Sequence, residues 1–508
     1  MQPDIIFIVL DTQRADRLGC YGYEKAVSPN IDAFAAQGAL FERGVTPAQW
    51  TIPSHASMFT GLYPTAHQVT QSNHALSDEQ PQLAERVLRE GYETVAFCNN
   101  PLVGVLNNGF RRGFGEFYNY GGAAPNPFRG YRTEDSPVQK ARNGVSRAFR
   151  SFAGPIQNVF GHSELAFRLS LNAWMTPLWS RLANFKGQNE RSARHLTRFL
   201  QEREQHDTSQ PLFLFANLME THLPFWPSAE AIQKVAPYLL NDPAAQAEMK
   251  RWNREAYRWA APLAEPMPPL ERRVLSDLYD AEVAYQDGYL GKLFDTLAQR
   301  RNAANTLTII VGDHGDGLGE HQMVGHAFNA YQELIHVPLI LHWPERIAPQ
   351  RVAAPVSTRR VFHTMIDAAG DSHALTLTKT IEGSDPENET AFAEIVPPLN
   401  FVSALEHREP ELLVRFRCTA TRRAIVQNDW KLVSVDESAD ELYNLDHDPL
   451  ELDNKVATQP TEVAALDLQL DSFVQKVEAQ KGDVAAGDSF ELQDERVLQQ
   501  LRGLGYIE

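Results

Sequence analysis

Three short apolar runs of this chain each lead into residues able to hold a metal ion or carry a proton. Ile5 to Leu10 ends at Asp11, Leu212 to Asn217 is followed by Glu220-Thr221-His222, and Thr306 to Val311 is followed by Asp313-His314. Carboxylates and imidazoles together form the ligand set of many divalent metals and the proton carriers of acid–base catalysis. Singly, each has a plain structural reading: Asp11 caps a helix, His222 lies in a turn before Pro224, and Asp313-His314-Gly315 is a polar turn. Their recurrence at three run ends favours one shared site. A fourth element is Trp50-Thr51-Ile52-Pro53-Ser54-His55, where Pro53 and Ser54 predict that Thr51 sits at a helix start. Backbone N–H groups there are free to receive an anionic oxygen, and the plain alternative for Thr51 is an N-cap.

The elements that position these residues follow from apolar patterning. Ile5-Ile6-Phe7-Ile8-Val9-Leu10 is short, continuous and β-branched, as a strand buried on both faces must be. Helix and buried strand then alternate: Leu83 to Glu90 and Thr94 to Cys98, Arg191 to Glu204 and Leu212 to Asn217, Leu275 to Arg300 and Thr306 to Val311, with Val337 to His342 as a further strand. That order predicts an α/β sandwich around a large, mostly parallel sheet flanked by helices. In such sheets ligands bind beyond the carboxyl ends of the strands, where Asp11, His222, Asp313 and His314 all fall.

Composition narrows the partners. With 508 residues, 43% hydrophobic and 22% charged, the chain is globular material long enough for a large core or two domains. A formal charge of -18 argues against nucleic acid or an anionic membrane as partner but not against a small anionic substrate, because a metal and histidines invert the sign locally. Cys20, Cys98 and Cys418 do not form a disulfide framework. No leader pattern precedes Ile5 and no apolar stretch approaches a membrane span, so a cytoplasmic location is expected.

The segment Thr51-Ile52-Pro53-Ser54-His55-Ala56-Ser57-Met58-Phe59-Thr60-Gly61 resembles the active-site signature of the sulfatase family within the alkaline phosphatase superfamily. In that family the first position is a Cys or Ser oxidised to formylglycine, which threonine cannot become. The resemblance implies that Thr51 attacks as a metal-activated alkoxide, as in threonine-nucleophile members of the superfamily. Asp11-Thr12-Gln13-Arg14 through Gly19-Cys20-Tyr21-Gly22 is similar to the family's N-terminal segment, with Thr12 where many members have a second Asp, and His314 stands where Asn is frequent. The implied first shell is Asp11, Thr51, Asp313 and His314 around one divalent ion. Exchanging amide and carboxylate oxygen for imidazole favours Zn²⁺ or Mn²⁺, with Ca²⁺ still open.

The same resemblance assigns the remaining site residues. His55 replaces the family's Arg and is expected to bond Thr51 or a substrate oxygen, with a packed structural histidine as the equal alternative. His222, in Thr221-His222-Leu223-Pro224, matches a His-x-Pro element that contacts the transferred group. His326 is the expected general acid toward the leaving oxygen. Arg14 is expected to orient a carboxylate of the site. Asn100 and His321 are assigned to substrate contact, with a turn and loop ordering as their alternatives.

The domain reading is a sulfatase-like catalytic part over residues 1–345, with insertions at about 121–189 and 226–269, and a smaller C-terminal part with a helical tail over 346–508. The first insertion has a basic excess and interleaved aromatics, suited to covering the cleft or to contacting a second subunit, so a homo-oligomer stays open. Trp430 to Val433 with Glu441 to Glu451, and the terminal Leu501 to Tyr506, resemble the family's C-terminal hairpin, Asp-Pro-x-Glu turn and tail. The expected activity is metal-dependent hydrolysis of a small anionic ester through Thr51, phosphodiesters or phosphomonoesters favoured. Sulfate-ester hydrolysis without formylglycine, phosphoryl transfer to an alcohol, and a silent metal-binding protein are the alternatives.

Overall fold

In the computed structural model, strand register alone brings the predicted carboxylates together. An eight-stranded sheet is built from β1 (Asp4–Leu10), β2 (Ala39–Phe41), β3 (Glu93–Cys98), β4 (Glu116–Asn119), β5 (Leu212–Leu218), β6 (Thr306–Gly312), β7 (Leu339–His342) and β8 (Gln350–Val352). Its order is β8-β2-β7-β6-β1-β5-β3-β4. All pairs are parallel except those made by β7, which runs antiparallel to both β6 and β2. Leu10 pairs with Leu218 on one side and Gly312 on the other, so Asp11 and Asp313 leave adjacent strands at the same level. The structure describes residues 2–121, 125–131, 186, 188–206, 209–484, 486, 487 and 489.

The continuous apolar run of β1 is explained by two cores. Ile5, Phe7 and Val9 enter one face, packed on α2 (Thr51–Thr60), α3 (Leu83–Arg89) and α6 (Arg360–Ala369). Ile6, Ile8 and Leu10 enter the other, against α1 (Pro29–Ala35), α4 (Asn189–Glu204) and α5 (Pro269–Ala298). A strand of period two that is covered on both sides has no polar face. At about 25 cal/mol per Å² of apolar area removed from water, each fully buried Ile or Phe of β1 contributes on the order of 1.5–3 kcal/mol.

The predicted elements match the observed ones with ends moved by a few residues, the largest shift being the start of α5 at Pro269 rather than Leu275. The boundary expected at 345/346 falls inside the sandwich: β8 is the sheet's edge strand, and Val361, Phe362 and Met365 of α6 belong to the first core. Beyond it lies a four-stranded antiparallel sheet, β9 (Thr390–Ile395), β10 (Arg422–Gln427), β11 (Trp430–Val435) and β12 (Ser438–Asn444), covered by α7 (Pro460–Asp483). The segment expected at 226–269 packs on α5 with Trp252 fully buried. Most of the basic insertion, and the terminal Leu501 to Tyr506, lie outside the described residues. Among the described residues no helix is long and apolar enough to cross a membrane.

One carboxylate ties the site-bearing layer to α5. Asp287, almost fully buried, accepts the backbone N–H groups of Asn30 and Ile31 at the start of α1, plus the Asn30 side chain at 2.7 Å. It serves as a cap delivered from a neighbouring helix, since Ser28 makes no side-chain cap of its own. Replacing Asp287 by Ala leaves those donors without an acceptor, and the expected loss is about 2–3 kcal/mol in urea unfolding.

Candidate active site

Asp11 and Asp313 are fully buried, and each has one oxygen engaged and one left over. Asp11 Oδ2 accepts from Asn100 Nδ2 at 2.6 Å and from Asn217 Nδ2 at 3.4 Å. Asp313 Oδ1 accepts the backbone N–H of Thr12 at 3.1 Å and of His314 at 2.9 Å. Asp11 Oδ1 and Asp313 Oδ2 have no hydrogen-bond partner. Donor atoms of Asp11, Asp313 and His314 all lie within 4.8 Å of one another. Two orphaned carboxylate oxygens beside an imidazole nitrogen fit a divalent cation, because buried anions without a partner are costly.

Local backbone explains how the carboxylates are held. Thr12 has φ 57°, a left-handed conformation that turns its N–H back toward Asp313, and its hydroxyl donates to the Asp11 carbonyl at 2.7 Å. Thr46 and Ser54 hydroxyls both donate to the Asp313 carbonyl, at 2.5 and 2.7 Å. Gly315 has no room for a side chain, since a Cβ there would stand 1.9 Å from the Glu333 carbonyl oxygen.

Thr51 is the first residue of α2, whose ten residues are all buried. Its hydroxyl does not cap the helix. Thr51 Oγ1 lies 3.3 Å from His314 Nε2. His314 Nδ1 lies 2.8 Å from the Gly315 carbonyl, which only accepts, so Nδ1 carries the hydrogen and Nε2 presents its lone pair to Thr51 and the two carboxylates.

Electrostatics follow from burial. Loss of solvent, then the Asp313 charge, raises the Asp11 pKa to about 7; burial raises Asp313 and Asp316 to about 8 each. Burial also holds His314 below its ordinary value and drives His222 and His326 well below theirs, with neighbouring imidazoles adding to the shift in the last two. The site is thus arranged for neutral imidazoles and for carboxylates whose ionisation a cation would favour.

The sequence-predicted residues divide into three groups. Brought together are Asp11, Thr51, Asp313 and His314, with His326 next to His314 at 4.5 Å between ring centroids and His222 next to His326 at 5.2 Å. Adjacent but turned to protein partners are His55, Asn100 and Arg14. His55 Nδ1 contacts the Thr51 carbonyl at 2.9 Å, Nε2 contacts Asn217 at 3.3 Å, and its ring packs on Phe59, Phe110 and Phe215. Asn100 spends an amide hydrogen on Asp11 and accepts the Leu102 N–H, so in this structure it supports a carboxylate. Arg14 forms a fork with Asp16, reaches Glu320 at 3.1 Å and donates to the Asp316 carbonyl at 3.0 Å, so it fixes the loop after β6 rather than Asp11 or Asp313.

His321 lies apart from this cluster. It pairs with Glu333 at 2.9 Å, stacks on Tyr331 at 3.7 Å and faces the Glu451 carbonyl, contacts that match the loop-ordering alternative and join it to the C-terminal part. Two further residues contact this cluster. Asp316 lies 3.0 Å from His326 Nδ1, and Asn217 bridges Asp11, His55 and the Asn100 N–H. A polar Asn near the carboxyl end of an otherwise apolar buried strand was the available signal for the latter.

An α/β sandwich with a buried Asp-Asp-His cluster at its carboxyl edge, facing a helix-terminal hydroxyl, has the layout of an alkaline-phosphatase-like ester hydrolase. A model of the family described as Sulfatase matches residues 3–371, and the chain belongs to the sulfatase family. Its relatives include the uncharacterized sulfatase YidJ of Escherichia coli (strain K12), 24% identical over 464 residues that cover 90% of this chain and 83% of that protein. The choline-sulfatase of Rhizobium meliloti (strain 1021) is 25% identical over 473 residues, covering 89% and 82%. Among solved structures, the phosphonate monoester hydrolase of Agrobacterium radiobacter superposes with TM-score 0.62 at 21% identity, covering 94% of this chain and 96% of that one.

The raised carboxyl values predict a pH signature for metal-free protein. Asp11 and Asp313 ionise at an ordinary value of 3.8 when unfolded but at about 7 and about 8 when folded, so the fold binds the extra protons. Their contribution is fully present below the unfolded value and is lost as pH rises through the folded ones. Urea unfolding should show stability falling between about pH 4 and about pH 8. Saturating Mn²⁺ or Zn²⁺, which favours the ionised forms, should flatten or invert that slope, and an Asp313→Asn variant should lose the metal effect.

Proposed function

We propose that this protein is a metal-dependent hydrolase of phosphodiesters or phosphomonoesters that uses Thr51 as nucleophile. The observation that carries the reading is the Thr51 hydroxyl, 3.3 Å from His314 Nε2 at the start of a buried helix and beside the two carboxylates with orphaned oxygens. Asp11, Asp313 and His314 would hold one divalent ion, Zn²⁺ or Mn²⁺ by their mixed oxygen and nitrogen donors. Such an ion supplies two things when bound, a lower pKa for a neighbouring hydroxyl and charge to offset the ester's anion.

The chain's own groups supply the rest. Thr51 Oγ attacks phosphorus in line, its proton leaves to solvent, and the P–O bond to the organic part breaks to leave a phosphothreonine that water then hydrolyses. The N–H groups of Thr51 and Ile52, at the start of α2 ahead of Pro53 and of Ser54, whose N–H bonds the Trp50 carbonyl, receive a non-bridging oxygen. His326 donates to the departing alkoxide. Burial favours the uncharged form of both His326 and Asp316, so an Asp316 carboxylic acid at 3.0 Å can pass its hydrogen to Nδ1 as Nε2–H is given up, leaving one carboxylate and a neutral imidazole. His222 lines the same side, and His55 keeps the first turn of α2 against Asn217.

A hydroxyl nucleophile and imidazole-rich surroundings support phosphorus over sulfur, because a sulfated secondary alcohol is hard to turn over without formylglycine. The sulfatase names of the relatives support sulfate esters as the second reading. Aryl phosphodiester, phosphomonoester and sulfate substrates, assayed with metal-analysed protein, separate the two. Thr51→Ala should cut turnover at least about 10³-fold while the fold and bound metal are retained. Mass spectrometry of enzyme quenched during turnover should find one phosphoryl adduct on the Thr51 peptide. Activity that survives in Thr51→Ala removes the proposed nucleophile.

A further inference from the structure

A second set of charged groups sits beside His222 and has no part in the steps above. Lys186 Nζ lies 2.6 Å from Glu282 Oε1 and 3.9 Å from Glu220 Oε1, and 5.9 Å from the Phe225 ring. Glu282 is fully buried and comes from α5, and Glu220 lies two residues before His222 in the loop after β5. The same Glu282 Oε1 accepts the Trp226 N–H at 2.5 Å, whereas Oε2 meets no N–H or O–H donor, and the Glu282 carboxyl faces that of Glu220, with Lys186 beside both. Lys186 is near enough to His222 for its charge to disfavour protonation of that ring.

The turn that carries Lys186 is fastened to the strand ends that carry the site. Asn189 Nδ2 donates to the Lys186 carbonyl at 3.0 Å while Asn189 Oδ1 accepts the Met219 N–H at 2.8 Å. Gln188 N–H donates to Asn99 Oδ1, and Asn99 Nδ2 donates to the carbonyl of Asn217, whose side chain touches Asp11. This run of asparagines fixes the lysine relative to the metal-ligand carboxylate through hydrogen bonds to strand backbone. A surface ion pair would not need such support, since exposed pairs contribute little.

The chemistry of the pair defines what it can bind. An ammonium with hydrogens left after Glu282 is a donor, and an unpartnered buried carboxylate oxygen needs one. A hydroxyl satisfies both at once. We propose that Lys186 and Glu282 recognise a free hydroxyl on the organic part of the ester, the ammonium donating to its oxygen and Glu282 Oε2 accepting from it. The substrate class is then a monoester or diester whose organic part carries a free hydroxyl. This inference rests on the phosphoester reading of the Thr51 site.

Two phosphates of equal charge and carbon skeleton test it: glycerol 2-phosphate, with hydroxyls flanking the ester, and isopropyl phosphate, with none. Their binding to full-length, Mn²⁺-loaded Thr51→Ala protein is measured by calorimetry, so that turnover does not intervene. Glycerol 2-phosphate should bind about tenfold tighter, the worth of one charge-assisted hydrogen bond. Lys186→Met and Glu282→Gln, each added to that protein, should bring the ratio to about one with isopropyl phosphate affinity little changed. Glu282→Gln keeps the side-chain shape and carries the test if Lys186→Met does not fold. Equal binding of both phosphates by the parent, or an unchanged ratio in variants that melt like the parent, overturns the hydroxyl contact and leaves the phosphoester reading standing. Binding of neither phosphate overturns both.

Discussion

Everything at the carboxyl edge of the sheet is arranged around the cost of keeping Asp11 and Asp313 side by side out of water. Two unit charges about 4 Å apart repel by about 4 kcal/mol at an effective dielectric of about 20, and desolvation adds several kcal/mol per ion. Four hydrogen bonds, from Asn100, Asn217, Thr12 N–H and His314 N–H, offset part of this at about 1.5–3 kcal/mol each. They occupy one oxygen of each carboxylate and leave the other two orphaned. Full pairing by protein donors would have made a structural motif; half pairing leaves two oxygens that fit a cation.

The loop between β6 and β7 carries Asp313, His314, Asp316 and His326, and it is held from outside the sandwich. Arg14 binds its Asp316 carbonyl and Glu320. From the other side, Glu451 of the C-terminal part accepts the Gln332 N–H at 2.6 Å and the Lys431 ammonium at 2.5 Å, with Lys431 fully buried. His321, pinned by Glu333 and stacked on Tyr331, is another attachment in the same region. The C-terminal sheet therefore acts on the site by fixing a loop. Removing one member of the buried Lys431–Glu451 pair would strand the other, which is far costlier than losing an exposed pair.

How much of this was legible in the sequence depended on whether a residue's role was set by pattern or by partner. The strands were legible because burial on both faces removes every polar residue from them, and the shared position of Asp11 and Asp313 follows once parallel order is assumed. The helix start at Thr51 was legible from Pro53 and Ser54. The duties of Arg14, Asn100 and His321 were not, because each is decided by a residue far along the chain: Glu320, Asp11 and the Glu451 carbonyl. Asp316 lies in a segment dense with titratable residues, and only its contact with His326 distinguishes it. β8 and α6 lie past a change in sequence character at about residue 345, yet they complete the sheet and its first core.

The position of Thr51 argues against its being a cap that happens to resemble a signature. A capping threonine stands before the first turn and directs its oxygen to N–H groups of that turn. Here the residue before the turn is Trp50, which makes no side-chain cap, and Thr51 is already helical with its hydroxyl aimed across to His314. The helix start is left with N–H groups unmet by any side chain, in a place with no exposed residue from Thr51 to Thr60. Burying open donors is unfavourable unless an acceptor arrives. The orphaned carboxylate oxygens and the open helix start are thus complementary needs, one for a cation and one for an anion, with the Thr51 hydroxyl between them.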